Sequence, residues 1–188
     1  MTPHRLIHLN GPPGVGKSTL AARYAADHPG TLNCEIDLLR GLVGGVEEDF
    51  SHAGTLIRPA ALAMVAAYLE HSGDVVLPQM IANPAELDRF RRAATGHGGA
   101  HVHVVLTGGP ADVAARFHDR STDLLHHRLA ARTVAADGGV SALRRWHEAM
   151  AGLAETEPDT ILLPTAPGDI EATYADLLAT LDQLVIQG

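Results

Sequence analysis

Residues 6–21, LIHLNGPPGVGKSTLA, restrict what this chain can fold into more than any other stretch. An apolar run over Arg5–Asn10 enters a glycine-rich turn. A helical pattern over Lys17–Asp27 leaves it, and His28, Pro29 and Gly30 stop that helix. Strand, turn and helix in that order predict a layered α/β structure, because the helix must pack back over a sheet. Residues 11–18 fit G-x-x-x-x-G-K-[ST]. Gly11, Gly14 and Gly16 let the backbone bend where a side chain would obstruct it. Lys17 is the only lysine, beside thirteen arginines.

A glycine-rich turn opening a helix presents backbone N–H groups and the positive end of the helix dipole to an anion. The loop Gly11, Pro12, Pro13, Gly14, Val15, Gly16, Lys17, Ser18 and Thr19 is therefore the expected nucleotide-binding segment. Lys17 would reach the β- and γ-phosphates, Ser18 would ligate Mg²⁺, and Thr19 would lie near the α-phosphate. A compact ammonium fits here where a planar guanidinium does not. ATP and Mg²⁺ are the expected cofactors.

Beyond the loop, short apolar runs alternate with helical patterns. Strands are expected at 31–37, 74–80, 101–106 and 160–164. Helices are expected at 59–71 with Pro59 in the first turn, 84–94 with Asn83 as N-cap, 110–118, 140–156 and 168–185. This alternation predicts an α/β fold built round a parallel sheet, in one domain over 1–188. Two segments lack a clean pattern. Residues 41–58, glycine-rich and acidic, read as a substrate-side loop or broken helix. Residues 119–139, rich in arginine and histidine, read as a lid.

The net charge is −8 with histidine neutral. That argues against non-specific binding to nucleic acid or an anionic membrane. A small-molecule partner is expected, with monomer and homodimer both open. Cys34 is the single cysteine, so no intrachain disulfide can form. With no apolar leader near the N-terminus, a cytoplasmic protein is expected. No apolar run reaches the ~18 residues of a spanning helix.

The acceptor side of the chemistry needs a base. Asp37, in EIDLLR, ends the expected second strand, and such strand ends carry the site in a doubly wound sheet. It could take a proton from an acceptor hydroxyl and orient Mg²⁺-bound water, or simply cap a short helix. Arg40, three residues on, would share its face and bind the acceptor. The third strand runs VVLPQM with no acid at its end, and Asp74 lies at its start. Metal binding then falls to Ser18 with Asp37. Gln79 is a substrate-side candidate or an ordinary strand-end residue.

Arg116 and Arg120, four apart, can share a helix face and close over the nucleotide, or face solvent. The same alternatives hold for Arg128 and Arg132. His118, His126 and His127 lack the spacing of a zinc site. The twelve histidines together read as surface and loop composition. Trp146 and Met64 are expected in core or groove packing, and Cys34 is expected buried within the second strand. Thr165, Ala166 and Pro167 follow the fifth strand, beside the expected base pocket.

The pieces IHLNGPPGVGKST, EIDLLR, LPQMIANPAELDRF and HVVLTGGPADVAARFHDR together resemble the small P-loop kinases. Within them the chain looks most like ATP-binding tunicamycin-resistance-type proteins. It is also similar to antibiotic, sugar and polynucleotide 5′-hydroxyl kinases, in which an Asp with an Arg three residues later serves as base and anchor. Asp37 and Arg40 have that spacing. The resemblance implies a P-loop NTPase three-layer α/β/α sandwich, a five-stranded parallel sheet ordered 2-3-1-4-5, and a mobile lid. It also implies phosphorylation of a small molecule.

Three functions are compatible with these residues. The first is Mg²⁺/ATP-dependent phosphorylation of a hydroxyl on a small molecule, such as an antibiotic or nucleoside-like compound. In it Lys17, Asp37, Arg116 and Arg120 are catalytic, and Arg116 and Thr165 also contact nucleotide. The second is a nucleotide-dependent binding, regulatory or drug-sequestering module. The third is a nucleotide or polynucleotide-end kinase.

Overall fold

The computed structural model describes residues 3–165 and 168–186. The chain begins with β1 (Arg5–Asn10) and α1 (Lys17–Asp27), both with the boundaries expected from sequence. There follow β2 (Leu32–Asn33), α2 (Ile36–Arg40), α3 (Phe50–His71), β3 (Val75–Leu77) and α4 (Pro84–Thr95). The second half holds β4 (Ala100–Thr107), α5 (Pro110–Asp119), α6 (Leu125–Ala136), α7 (Val140–Thr156), β5 (Thr160–Pro164) and α8 (Ile170–Ile186).

The strands form one five-stranded parallel sheet in the order β2-β3-β1-β4-β5. In register, Ile7 of β1 stands between Val76 of β3 and Val102 of β4. Successive strand residues point to opposite faces, and both faces here are covered. Leu6, Val75, Leu77 and Val105 pack against Val65 and Leu69 of α3, Phe90 of α4 and Met150 of α7. Ile7, Leu9, Val76 and Val104 pack on the other side against Leu20 and Tyr24 of α1 and Leu177 of α8. This is a three-layer α/β/α sandwich. Each fully buried Leu or Ile contributes about 1.5–3 kcal/mol, so β1, with Leu6 on one face and Ile7 and Leu9 on the other, anchors two cores at once.

Several expectations need correction. The second strand ends at Asn33, not Asp37. Cys34 still donates its N–H to Val76 O at 2.9 Å, but Ile36 onward is helical. Cys34 therefore lies just past β2, buried, and burial pushes its thiol up to about 12. The third strand is only Val75–Leu77. Asp74 does serve at its start: Arg5 N and Nε donate to its two carboxylate oxygens at 2.8 and 3.1 Å. Pro59 is not at a helix start but inside α3, where it removes one interior hydrogen bond. Half of the 41–58 segment is thus helical, and α6 runs through the 119–139 segment. Among the described residues no helix is long and apolar enough to cross a membrane.

Two of the loosely patterned segments meet. Val46, Phe50 and Ala53 pack with Leu129 of α6 in a small core separate from the sheet, joined by Val43, Leu125 and Ala130.

Candidate active site

A cleft of about 630 Å³ opens at the carboxyl ends of the strands. Its floor is the loop after β1. Gly16 is the N-cap of α1, left-handed at φ 108°, with no side-chain cap on the helix. The first-turn N–H groups of Lys17, Ser18 and Thr19, all lining the cleft, thus keep their capacity for an anion. Gly11 is tight for a different reason: a Cβ there would stand 2.7 Å from Leu106 O. The close approach of β1's end to β4 requires its absence.

Lys17 Nζ donates to Gly11 O at 2.8 Å and Pro12 O at 2.9 Å. An ammonium has three donors, so one is left to face the cleft. Burial pulls its pKa down to about 8, against the opposing pull of Asp37 and Glu35. Ser18 Oγ donates to Glu35 Oε1 at 2.8 Å. Glu35 is the N-cap residue of α2 and is buried, which raises its carboxyl pKa despite the Ser18 hydrogen bond.

Asp37 lies in the first turn of α2 and also lines the cleft. Its Oδ1 is 3.2 Å from Arg40 Nε, without hydrogen-bond alignment. Arg40 Nη1 reaches Phe50 O at 3.4 Å, and its guanidinium lies 4.4 Å above the Phe50 ring. Gln79 is buried at the lip of β3, where His8 Nε2 contacts its backbone O at 2.8 Å. Asn10 fastens the next turn, accepting from Ile81 N and donating to Ile81 O, both at 2.9 Å.

Arg116 and Arg120 both line the cleft but do not share a helix face. Arg120 is the extended residue that ends α5, its guanidinium 4.3 Å over the Phe117 ring. Burial lowers its pKa, while Asp37 and Glu35 raise it. Arg116 Nη2 instead lies 3.4 Å from Thr165 Oγ1, which donates to Thr107 O at 2.9 Å. Ala166 and Pro167 lie outside the described residues. Arg128 and Arg132 do not line the cleft, whereas His127 and Trp146 do. Among the described residues no three His, Cys, Asp or Glu side chains are placed to hold a metal ion as a set.

Sequence reasoning missed Glu35, Arg58 and Phe50. Glu35 had a signal: it stands two residues before Asp37 at a strand end, so both acids leave the same edge of the sheet. Hydroxyl and carboxylate oxygens, as Ser18 and Glu35 supply, are the donors a hard divalent cation takes. The uncapped helix start and the free Lys17 donor suit phosphate oxygens. The residues present therefore fit a nucleoside triphosphate with Mg²⁺.

Solved structures share this fold. The chain is similar to a gluconokinase from Sinorhizobium meliloti 1021, at 21% identity and a TM-score of 0.62, over 100% of this chain and 99% of that one. It is similar to the M. mycoides deoxyadenosine kinase, at 10% identity and a TM-score of 0.58, over 96% and 99%. The Deinococcus radiodurans tunicamycin resistance protein matches at 18% identity and a TM-score of 0.46, over 84% and 96%. No curated protein matches the chain. The family model described as AAA_33, AAA domain, matches residues 6–150. That span takes in β1 from Leu6 onward, the glycine-rich loop, β2 to β4 and every residue placed round Asp37, and the chain belongs to this AAA domain family.

Proposed function

We propose that the chain is a Mg²⁺- and ATP-dependent phosphotransferase acting on a hydroxyl group of a small molecule. The observation that supports this most is one cleft with the glycine-rich loop and Lys17 at its floor and the Asp37–Arg40 pair on its wall. The similarity in fold to two kinases of small molecules agrees with it.

In this reading the loop amides and Lys17 hold the phosphates. Mg²⁺, when bound, would neutralise charge on them; Ser18 and Glu35 are the residues to hold it, with Asp37 orienting its water. Glu35 supplies the acid that the third strand lacks. Asp37 accepts the hydroxyl proton as the acceptor oxygen bonds the γ-phosphorus and the bond to the β-phosphate oxygen breaks, releasing ADP. Arg40 fixes the Asp37 carboxylate. Arg120, close to both acids, stabilises charge on the moving phosphoryl group. Arg116 and Thr165 contact nucleotide on the β4–β5 side. The α6 segment covers the cleft and limits loss of the phosphoryl group to water.

The test is ATP consumption against a panel of alcohols, sugars, nucleosides and nucleoside- or aminoglycoside-type antibiotics. Mass spectrometry should detect a product heavier by one phosphoryl group. Asp37→Asn should lower turnover on that acceptor by about 10²–10⁴-fold. Glu35→Gln should raise the Mg²⁺ concentration needed for half-maximal ATP binding, measured by calorimetry. The assignment fails if no acceptor is phosphorylated and Asp37→Asn leaves ATP turnover unchanged.

A further inference from the structure

The acceptor wall carries a positive charge that phosphate chemistry leaves unused. Arg58 extends from α3 into the cleft, with its side chain 26% exposed. Its Nε lies 3.5 Å from Glu86 Oε1 on α4, yet both atoms are buried and neither makes a hydrogen bond. Glu86 gives its other oxygen to Arg89 Nη1 at 3.0 Å. One carboxylate thus faces two guanidiniums. The neighbouring Arg40 is already committed to Asp37 and the Phe50 ring. Arg58 thus shares its one carboxylate, Glu86, with the exposed Arg89, whereas Arg40 has Asp37 to itself. Among the described residues the two terminal nitrogens of Arg58 make no hydrogen bond. Its buried Nε is left without a hydrogen bond, and its terminal nitrogens are open to an anion entering the cleft.

The sheet order says which ligand that anion belongs to. Arg116 and Thr165 lie past β4 and β5, on one side of the loop after β1. Arg58, Arg40 and Gln79 lie beyond β3 and β2, on the opposite side, with Asp37. The triphosphate is held between them, so Arg58 faces the acceptor rather than the nucleotide.

Resting on the phosphotransfer reading above, we propose that the acceptor bears a carboxylate or phosphate beside its hydroxyl group, and that Arg58 binds this anion while Asp37 takes the hydroxyl proton. Arg58 forms charge-assisted hydrogen bonds from its terminal nitrogens. Arg40 supports it by charge without leaving Asp37. The anion fixes which hydroxyl of a polyol meets the base.

Matched probes test this. Glycerol, glycerate and glycerol 3-phosphate form one series; glucitol, gluconate and glucitol 6-phosphate form the other. Binding is measured by calorimetry with a non-hydrolysable ATP analogue and Mg²⁺, and phosphorylation by ADP release and product mass. The anionic members of a series should bind about tenfold to hundredfold more tightly than the neutral one. Which anion binds better separates a carboxylate from a phosphate acceptor. Arg58→Gln should abolish most of that preference, and Arg58→Lys should restore part of it. Arg92→Gln, which removes an exposed charge elsewhere, should leave it intact. Anion binding that Arg58→Gln removes, with no product formed, supports the anion site and sinks the kinase reading. Phosphorylation of neutral and anionic probes alike, unchanged in Arg58→Gln, keeps the kinase reading and overturns this inference. So does a lack of saturable binding by all four anions.

Discussion

Lys17 has an ammonium that burial holds at about 8, so it starts to lose charge where an ordinary lysine is still fully protonated. The protonated form attracts the phosphates. ATP affinity should therefore stay level below pH 7 and weaken as pH rises through 8, by up to about tenfold per pH unit. Lys17→Arg stays charged throughout but cannot occupy the same compact position. It should bind weakly at every pH and show no such slope. Titrating ATP binding between pH 6.5 and 9.5 checks both; an affinity unchanged across that range would count against the role given to Lys17. The lysine was legible from the motif because spacing and residue type suffice there. Glu35 was not, since the expected acid was sought after β3. It reaches Ser18 only because β2 stops early and α2 turns the chain across the end of the sheet.

Among elements, α2 and α3 depend on one small residue. Gly54 lies inside α3, where glycine costs about 1 kcal/mol against alanine. Its backbone does not require glycine, but a Cβ there would stand 2.7 Å from Arg40 Cζ. The helix gives up intrinsic stability so that Arg40 can lie over Phe50 and beside Asp37. Gly54→Ala should accordingly displace Arg40 and weaken acceptor-dependent turnover. In an Arg40→Ala background the same change should stabilise the protein by up to about 1 kcal/mol. A double-mutant cycle by urea denaturation measures the difference; equal effects in both backgrounds would show that the two residues are not coupled. The long helices were legible from periodicity, and α1, α7 and β5 agree with it to the residue. The start of α3 was not, because Pro59 reads locally as a helix start and the nine residues before it, Phe50 to Arg58, are helical through packing on Leu129 and Arg40.

The whole molecule has an acid-sensitive centre that composition alone misread. Twelve histidines suggested a polar surface, yet His8 and His103 are buried and His101 is largely so. Strand alternation puts all three on one face of β1 and β4, with ring centroids 5.2 to 5.9 Å apart. Asn10 Nδ2 lies 3.1 Å from His103 Nε2, and Thr160 Oγ1 lies 2.9 Å from His103 Nδ1. Burial, then mutual repulsion, lowers His101 to about 3 and His8 well below its usual value. Burial lowers His103 to about 4, with Glu157 opposing and Arg91 assisting. The unfolded chain takes up these protons below pH 6.5, while the folded one refuses them until about 4 or lower. The unfolded state thus binds more protons throughout that window, so stability rises with pH and is lost as pH falls from 6.5 toward 4. Each histidine contributes a slope of up to about 1.4 kcal/mol per pH unit, or about 4 for the three together. Urea midpoints at pH 7.5, 6 and 5 should fall steeply, and His101→Asn should make the fall shallower by about a third. Equal midpoints at pH 7.5 and 5, or a slope untouched by His101→Asn, would mean that these rings do not govern acid stability. The same rings touch the carbonyl of Gln79 and, through Asn10, both backbone groups of Ile81. The folded chain keeps these rings neutral until about 4, so acceptor binding should hold from pH 6.5 to 5 while the urea midpoint falls; acceptor binding lost in step with the midpoint would mean that the folded rings take up protons earlier.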